Sequence, residues 1–121
     1  MVTIILQYSC SDEIERLGNG YFYRDEGGSI KDILCEHPNG SQIPATVVDY
    51  VYNNKFILAK QKPKIPQEPL YDKIYTYPNG NEQFYYWLII KESHTVLGPL
   101  SITKLDSIKT KYKVSIGLKI R

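Results

Sequence analysis

Cysteine, histidine, methionine and long apolar runs are all scarce in this chain, and each scarcity narrows what it can be. Two cysteines among 121 residues cannot frame the disulfide scaffold of a small secreted miniprotein. No stretch approaches the ~20 apolar residues of a membrane-spanning helix. Excess charge of one sign is missing too: fifteen Lys and Arg face thirteen Asp and Glu, a formal net charge of +2, and 42% of the residues are hydrophobic. That balance excludes an intrinsically disordered chain. Tyrosine is abundant, with eleven residues against one Trp and one Met, and it suits the half-buried pleated surface of a sheet. A chain of this length forms one domain and can bury ~65% of its unfolded surface, enough for a core without an obligatory metal or disulfide framework.

Charge is unevenly spread along the chain. Residues 1–36 hold seven acids and three bases, whereas residues 104–121 hold six bases and one acid. A basic end can attract nucleic acid or anionic lipid. No aromatic-basic RNA motif or recognition-helix signature accompanies it, so nucleic acid is not an expected partner and the lysines read as a solvated face.

The chain opens on Val2-Thr3-Ile4-Ile5-Leu6 and continues Gln7-Tyr8-Ser9-Cys10-Ser11-Asp12-Glu13. The apolar run is too short for a secretory signal and lacks a basic leader. An apolar run, a small residue directly before a cysteine and then Ser-Asp-Glu is nevertheless the order found around a bacterial lipoprotein cleavage site, where the thiol carries the lipid and the polar stretch serves as a tether. Residues 1–12 are therefore either a truncated signal and tether with Cys10 as the lipidation site, the true start then lying upstream, or a first strand over Val2 to Tyr8 with Cys10 a plain thiol. Residues 13–121 form a single β-rich domain. Cys35 and His37 lie two apart at the end of another apolar run. A lone Cys-x-His pair falls short of the four ligands of structural zinc, so Cys35 reads as a strand thiol, and neither a metal site nor a Cys10–Cys35 disulfide is expected.

Turn signals at Gly18-Asn19-Gly20, Gly27-Gly28, Pro38-Asn39-Gly40, Asn53-Asn54, Pro78-Asn79-Gly80 and Ser93-His94 separate short runs rich in Tyr, Val, Ile and Phe, the punctuation of β-hairpins. Three are expected: Tyr21–Arg24 against Ile30–Leu34, Val47–Tyr52 against Lys55–Lys60, and Phe84–Ile90 against Thr95–Leu97. The second and third each follow a Pro-Asn-Gly and repeat at an offset of forty residues, so Val47 corresponds to Trp87, Tyr50 to Ile90 and Phe56 to Val96. Two copies cannot close a propeller, and the pair reads as two stacked hairpins of one sheet. Past Gly98-Pro99-Leu100 the texture changes. Ser101 is a good N-cap, and Ile102, Leu105, Ile108 and Tyr112 recur at helical spacing on one stripe. The opposite face carries Lys104, Lys109, Lys111 and Lys113, and the tail Val114–Ile120 alternates like a last strand. The fold class is mainly β (α+β): an antiparallel sheet of successive hairpins, one C-terminal amphipathic helix and a possible last strand. Trp87, Ile89, Phe56, Leu58, Val51, Leu105 and Ile108 are the expected core.

No catalytic pattern emerges. His37 and His94 both fall in turns and in no nucleophile motif. The acids at Asp12, Glu13 and Glu15 and at Asp25 and Glu26 read as solvated, and no phosphate-cradling loop or dinucleotide fingerprint is present. The chain reads as non-enzymatic, with no cofactor and no small-molecule substrate. The strongest binding candidate is the long connection from Gln61 to Pro78. Its prolines at 63, 66 and 69 favour a stiff, extended segment that either crosses between hairpins or offers itself to an aromatic groove. Near-alternating Tyr71, Tyr75 and Tyr77 share one side of such a segment, where they either cover the core or form an exposed aromatic ladder. In the second case Lys62, Lys64 and Lys73 supply the basic rim of a protein-binding face.

Leu17-Gly18-Asn19-Gly20-Tyr21-Phe22-Tyr23, Val48-Asp49-Tyr50-Val51-Tyr52-Asn53-Asn54-Lys55-Phe56-Ile57-Leu58-Ala59-Lys60-Gln61, Tyr85-Tyr86-Trp87-Leu88-Ile89-Ile90 and Gly98-Pro99-Leu100-Ser101 together resemble a family of small, uncharacterised bacterial domains, many of them predicted lipoproteins. The resemblance spans about residues 10 to 113 and rests on structural motifs, with no catalytic residue to carry over. It supports an envelope setting and says nothing about mechanism, and the short N-terminus departs from the family's usual signal peptide. The function expected is non-enzymatic contact with an as yet unknown protein partner by an envelope-associated domain, with Cys10 as the candidate membrane tether. A cytosolic immunity protein that covers a toxin's active site is the rival reading, since tyrosine-rich surfaces give contact area at little entropic cost. A small hydrolase built on His37 or His94 is the third.

Overall fold

The apolar pattern in the middle of the chain decides the architecture. Phe56-Ile57-Leu58-Ala59 and Trp87-Leu88-Ile89 are buried without a break, and a strand that is apolar on both faces must be covered on both. The computed structural model of the protein describes residues 13–118 and shows both covers. The strands are β1 (Glu13–Gly18), β2 (Tyr21–Asp25), β3 (Lys31–Cys35), β4 (Val47–Tyr52), β5 (Phe56–Gln61), β6 (Tyr85–Ile90) and β7 (Thr95–Leu100), and the helix is α1 (Ile102–Tyr112). A short 3-10 turn over Gly80–Glu82 precedes β6. β1, β2 and β3 form one antiparallel sheet, and β4 to β7 form a second in sequential order.

The four-stranded sheet separates two cores. On one side Val47, Ile57, Ala59, Trp87 and Ile89 meet Leu17, Tyr21, Ile33 and Ile43. On the other, Phe56, Leu58 and Leu88 meet Leu105 and Val114. Period-two alternation along β5 and β6 sends neighbouring residues to opposite cores. The molecule is thus three layers: the three-stranded sheet, the four-stranded sheet and the helix. Trp87 sits at the centre of the first core, and β7 crosses it at Gly98, where a Cβ would fall 2.4 Å from the indole Cε3. Only glycine permits that approach.

All three expected hairpins form, and the second and third lie side by side in one sheet through the β5–β6 ladder, with Leu58 opposite Leu88 and Ala59 opposite Trp87. The forty-residue correspondence holds for Val47 and Trp87, which share the first core, and fails for Tyr50 and Ile90, which pack on opposite sides. A bulge between Val47 and Asp49 adds a residue to β4 and turns the rest of that strand over.

Several expectations need correction. The mainly β, antiparallel class with one C-terminal helix holds, but the strands fall into two sheets rather than one, and Glu13–Gly18, read as a solvated acidic segment, is itself an edge strand paired with β2. β7 runs on through Leu100. No strand forms over 114–118: Val114 is buried, and Ile116 and Leu118 lie against the second core as irregular chain. The helix begins where expected, with Ser101 Oγ accepting from the Lys104 amide at 3.1 Å. Its stripe, however, docks only in the middle, since Leu105 is 3% exposed whereas Ile102 is 53% and Tyr112 36% exposed. Val51 and Ile108 are half-buried. Cys10 and the alternative strand at Val2–Tyr8 lie outside the described residues, and Cys35 carries a free thiol.

These contacts set the cost of truncating the helix. Leu105→Ala is expected to lower stability by about 2 to 5 kcal/mol, as a buried leucine does when a cavity replaces it, and Ile102→Ala by less than about 0.5 kcal/mol, as an exposed position does. Urea denaturation of the two variants checks both, and equal losses would contradict the half-docked helix.

Candidate functional site

Three connections converge at one end of the first core. The Pro38-Asn39-Gly40 turn after β3, the segment around Asp72 to Tyr75 and the β6–β7 turn together enclose a cleft of about 330 Å³, lined among others by Asn39, Ser41, Gln42, Lys73, Tyr75 and His94. Gly40 allows the first turn to fold back over β3, because a Cβ there would lie 2.3 Å from Cys35 Sγ.

His94, in the lining of the cleft, belongs to a hydrogen-bonded ring stack. His37 and His94 stack with centroids 4.4 Å apart, although 57 residues separate them in the chain. Tyr21, buried in the first core, places its hydroxyl 2.9 Å from His94 Nδ1 and accepts the Ser41 amide at 3.1 Å. Burial raises the pKa of Tyr21. His37 Nδ1 accepts the Asn39 amide at 3.1 Å, and Ser41 Oγ donates to the His94 carbonyl at 2.7 Å. Ser41 therefore spends its hydroxyl proton on a backbone oxygen rather than on an imidazole. Burial likewise raises the pKa of the Cys35 thiol, the reverse of what a nucleophilic cysteine needs. Among the described residues, no three His, Cys, Asp or Glu side chains converge as a metal would require.

The six candidate residues divide. Tyr71 is buried, donating to Asp32 Oδ2 at 2.5 Å and accepting the Ala45 amide at 3.0 Å. Asp32 is wholly buried and receives the Arg24 guanidinium through Nε at 3.1 Å and Nη2 at 2.8 Å. Tyr77 accepts from Gln61 Nε2 at 3.0 Å, and the same amide accepts the Trp87 indole N–H at 2.7 Å. Tyr75 meets Trp87 edge-on at 4.9 Å. The segment is irregular rather than extended, so the three rings make no exposed ladder: they cover the first core, and only Tyr75 also reaches the cleft. Lys73 joins it there, exposed. Lys64 pairs with Glu68 at 3.4 Å, and Lys62 is exposed away from the cleft lining.

Two features had no signal in the sequence. The His37–His94 stack arises from packing two sheets together, which no periodicity reveals. Lys91, the first residue after β6, is 3% exposed and donates through Nζ to the Leu17 carbonyl and, at 2.6 Å, to the Asn53 carbonyl. Burial lowers its pKa. It ties the β1–β2 turn to the β4–β5 turn.

The tyrosine network carries a pH dependence. Burial, reinforced by nearby carboxylates, pushes Tyr23 up to about 12. Burial also raises Tyr71, Tyr75 and Tyr77, with the Asp32 bond adding to it at Tyr71. An unfolded tyrosine ionises near about 10, so above that pH the unfolded chain loses protons that the folded one keeps, and stability falls. The urea midpoint is expected to stay level up to about pH 9.5 and to drop steadily between about pH 10 and 12, with phenolate absorbance of the folded protein lagging behind that of free tyrosine. A midpoint unchanged at about pH 11 would contradict the burial of these hydroxyls.

No curated protein sequence and no solved structure matches the chain. Residues 21–121 match a family model, and the chain accordingly belongs to the family described as Protein of unknown function (DUF3997).

Proposed function

We propose that the chain is a non-enzymatic, envelope-associated contact domain that receives a segment of a protein partner at the cleft. The observation that carries this reading is how the groups at the cleft are used. Tyr21, Ser41, Gln42 and the Nδ1 atoms of both histidines hold the walls together through internal bonds. Lys73, Asp72 and Asn39 stand exposed around them, beside the half-buried Tyr75. The aromatic side chains of Tyr75 and His94 within a charged, solvated rim are the composition of a recognition surface. The envelope setting is supported by the Ser9-Cys10-Ser11-Asp12 order and by the resemblance to predicted lipoproteins. Cys10 lies three residues before β1, so a lipid there would hold the domain close to a bilayer.

The test expresses the chain from its own gene, with the genomic region before it, in a bacterial host. Fatty-acid labelling is expected to mark the wild type and to be lost in Cys10→Ser, which moves to the soluble fraction. A photo-crosslinking residue at position 73 is expected to yield a discrete adduct that Asn39→Arg abolishes, while one at exposed position 106, on the helix across the central sheet, yields none. Unlabelled wild type would remove the envelope reading, and equal adducts from positions 73 and 106 would remove the cleft.

A further inference from the structure

The four-stranded sheet ends on β7, whose residues are all half-buried, whereas those of β5 and β6 are mostly buried. Among the described residues, the backbone of 95–98 is hydrogen-bonded by no element other than β6. Its outer row of N–H and C=O groups is therefore a template for a second extended chain. The ladder becomes irregular between Leu97 and Leu100, and Pro99 carries no N–H, so the regular edge is short: about four residues, or roughly 13 Å of strand.

The other edges are closed or blunted. Ile33 of β3 exchanges two backbone hydrogen bonds with Ile43, at 3.1 and 2.9 Å. β4 is bulged between Val47 and Asp49. β1 exposes Glu13, Glu15 and Arg16, and charges on an edge repel further strands. β7 differs from them in having a pocket on each face. Side chains alternate across a strand, and Val96 lines the cleft while Leu97 lines a crevice of about 270 Å³ between β7 and α1. Ile108 and Tyr112 form the crevice's helix wall, with Lys104 and Lys111 beside them.

We propose that the partner segment received at the cleft adds to β7 as a fifth strand, its alternate side chains entering the cleft and the crevice, and that its crevice side carries an aliphatic residue flanked by acidic ones. The inference deepens the contact reading above and rests on it. Strand addition draws affinity from main-chain bonds and specificity from pockets for alternate side chains. Leu97 and Ile108 pack toward the second core, so a chain that extends the sheet meets them where a ligand on the outer helix surface does not. Lys104 and Lys111 are exposed, and among the described residues neither is in an ion pair. Lys111 Nζ lies 5.5 Å from the centre of the Tyr112 ring, which keeps its charge at the crevice mouth. Residues two apart in a strand share a face, so carboxylates two positions from the aliphatic residue are the groups that meet these lysines. On the cleft side Asp72 and Lys73 offer both signs and select neither. A second copy of this chain suits the edge less well. Antiparallel pairing of two β7 strands about a twofold axis through the sheet sets both helices on one face and turns their Lys104 and Lys111 pairs toward each other.

The probe is the capped peptide Thr-Glu-Thr-Leu-Thr-Glu-Thr, titrated into the full 121-residue chain while the backbone amides are followed by NMR. Binding with a Kd of about 1 mM or tighter is expected, with shifts and slowed hydrogen exchange at residues 95–98. Exchanging both glutamates for lysine, or Lys104→Gln with Lys111→Gln, is expected to weaken it about fivefold or more, the worth of two exposed ion pairs. The protein variant should keep its melting temperature, because both residues are exposed. N-methylation of alternate peptide amides leaves every side chain in place, and it is expected to abolish binding in one alternation and to spare it in the other, since only one set of amides faces β7. No binding at about 5 mM peptide, equal binding by the lysine peptide, or equal effects of the two N-methylated forms would overturn the proposal. Self-association through β7 without peptide would overturn it in favour of a second copy. A position-73 adduct with no peptide binding would remove strand addition and leave the cleft, whereas peptide binding with no such adduct would remove the cleft and leave the edge.

Discussion

Everything in this structure follows from two central strands that have no polar face. β5 and β6 are paired residue for residue from Phe56 opposite Ile90 to Gln61 opposite Tyr85, and buried apolar residues project from both sides of the pair. Burying them is the largest favourable contribution available to a chain of this size, and it requires material on both faces. The chain supplies a sheet from its N-terminal third and a helix from its C-terminal end. The order of elements along the sequence thereby becomes an order of layers through the molecule.

The two interfaces differ in kind. Between the sheets the core is threaded with polar groups, each with partners: Asp32 with Arg24 and Tyr71, Gln61 with Trp87, Tyr77 and the Pro44 carbonyl, Tyr21 with Ser41 and His94. Among the described residues no buried side-chain donor or acceptor is left without a partner, as the cost of burying a polar group alone demands. Directional bonds of this sort fix the relative position of the two sheets more sharply than apolar packing does, and so fix the cleft built where their loops meet. Under the helix, by contrast, the core is Phe56, Leu58, Leu88, Leu105 and Val114. Apolar contact there holds the helix in place without setting its outer face, which is free to carry charge.

How much of this was legible in the sequence depended on the range of the cause. Local causes could be read: the hairpins from Asn, Gly and Pro in their turns, the helix from Ser101 and the spacing of Leu105 and Ile108. The failures were tertiary. Glu13–Gly18 alternates too weakly to announce a strand, and it becomes one because β2 offers an edge and Leu17 a place in the core. Val114–Leu118 alternates well enough to announce one, yet it stays irregular because its apolar residues face the second core. The tyrosines of the long connection were correctly paired with two alternatives, and packing chose between them: Tyr71 and Tyr77 have buried polar partners in Asp32 and Gln61 that lie 39 and 16 residues away. Of the six candidate site residues, Lys73 and Tyr75 remain at the cleft. Its other half, His94 and Ser41, comes from turns whose meeting is a property of the packed sheets alone.

A domain built this way separates its surfaces by construction. Because side chains alternate across a strand, the neighbours Val96 and Leu97 on β7 serve opposite faces, at the cleft and at the helix crevice respectively. The four-stranded sheet lies between them, its central strands buried on both sides. The charge follows the same division, acids with the outer sheet and lysines with the helix, and an anionic surface therefore exerts a torque on the domain as well as an attraction.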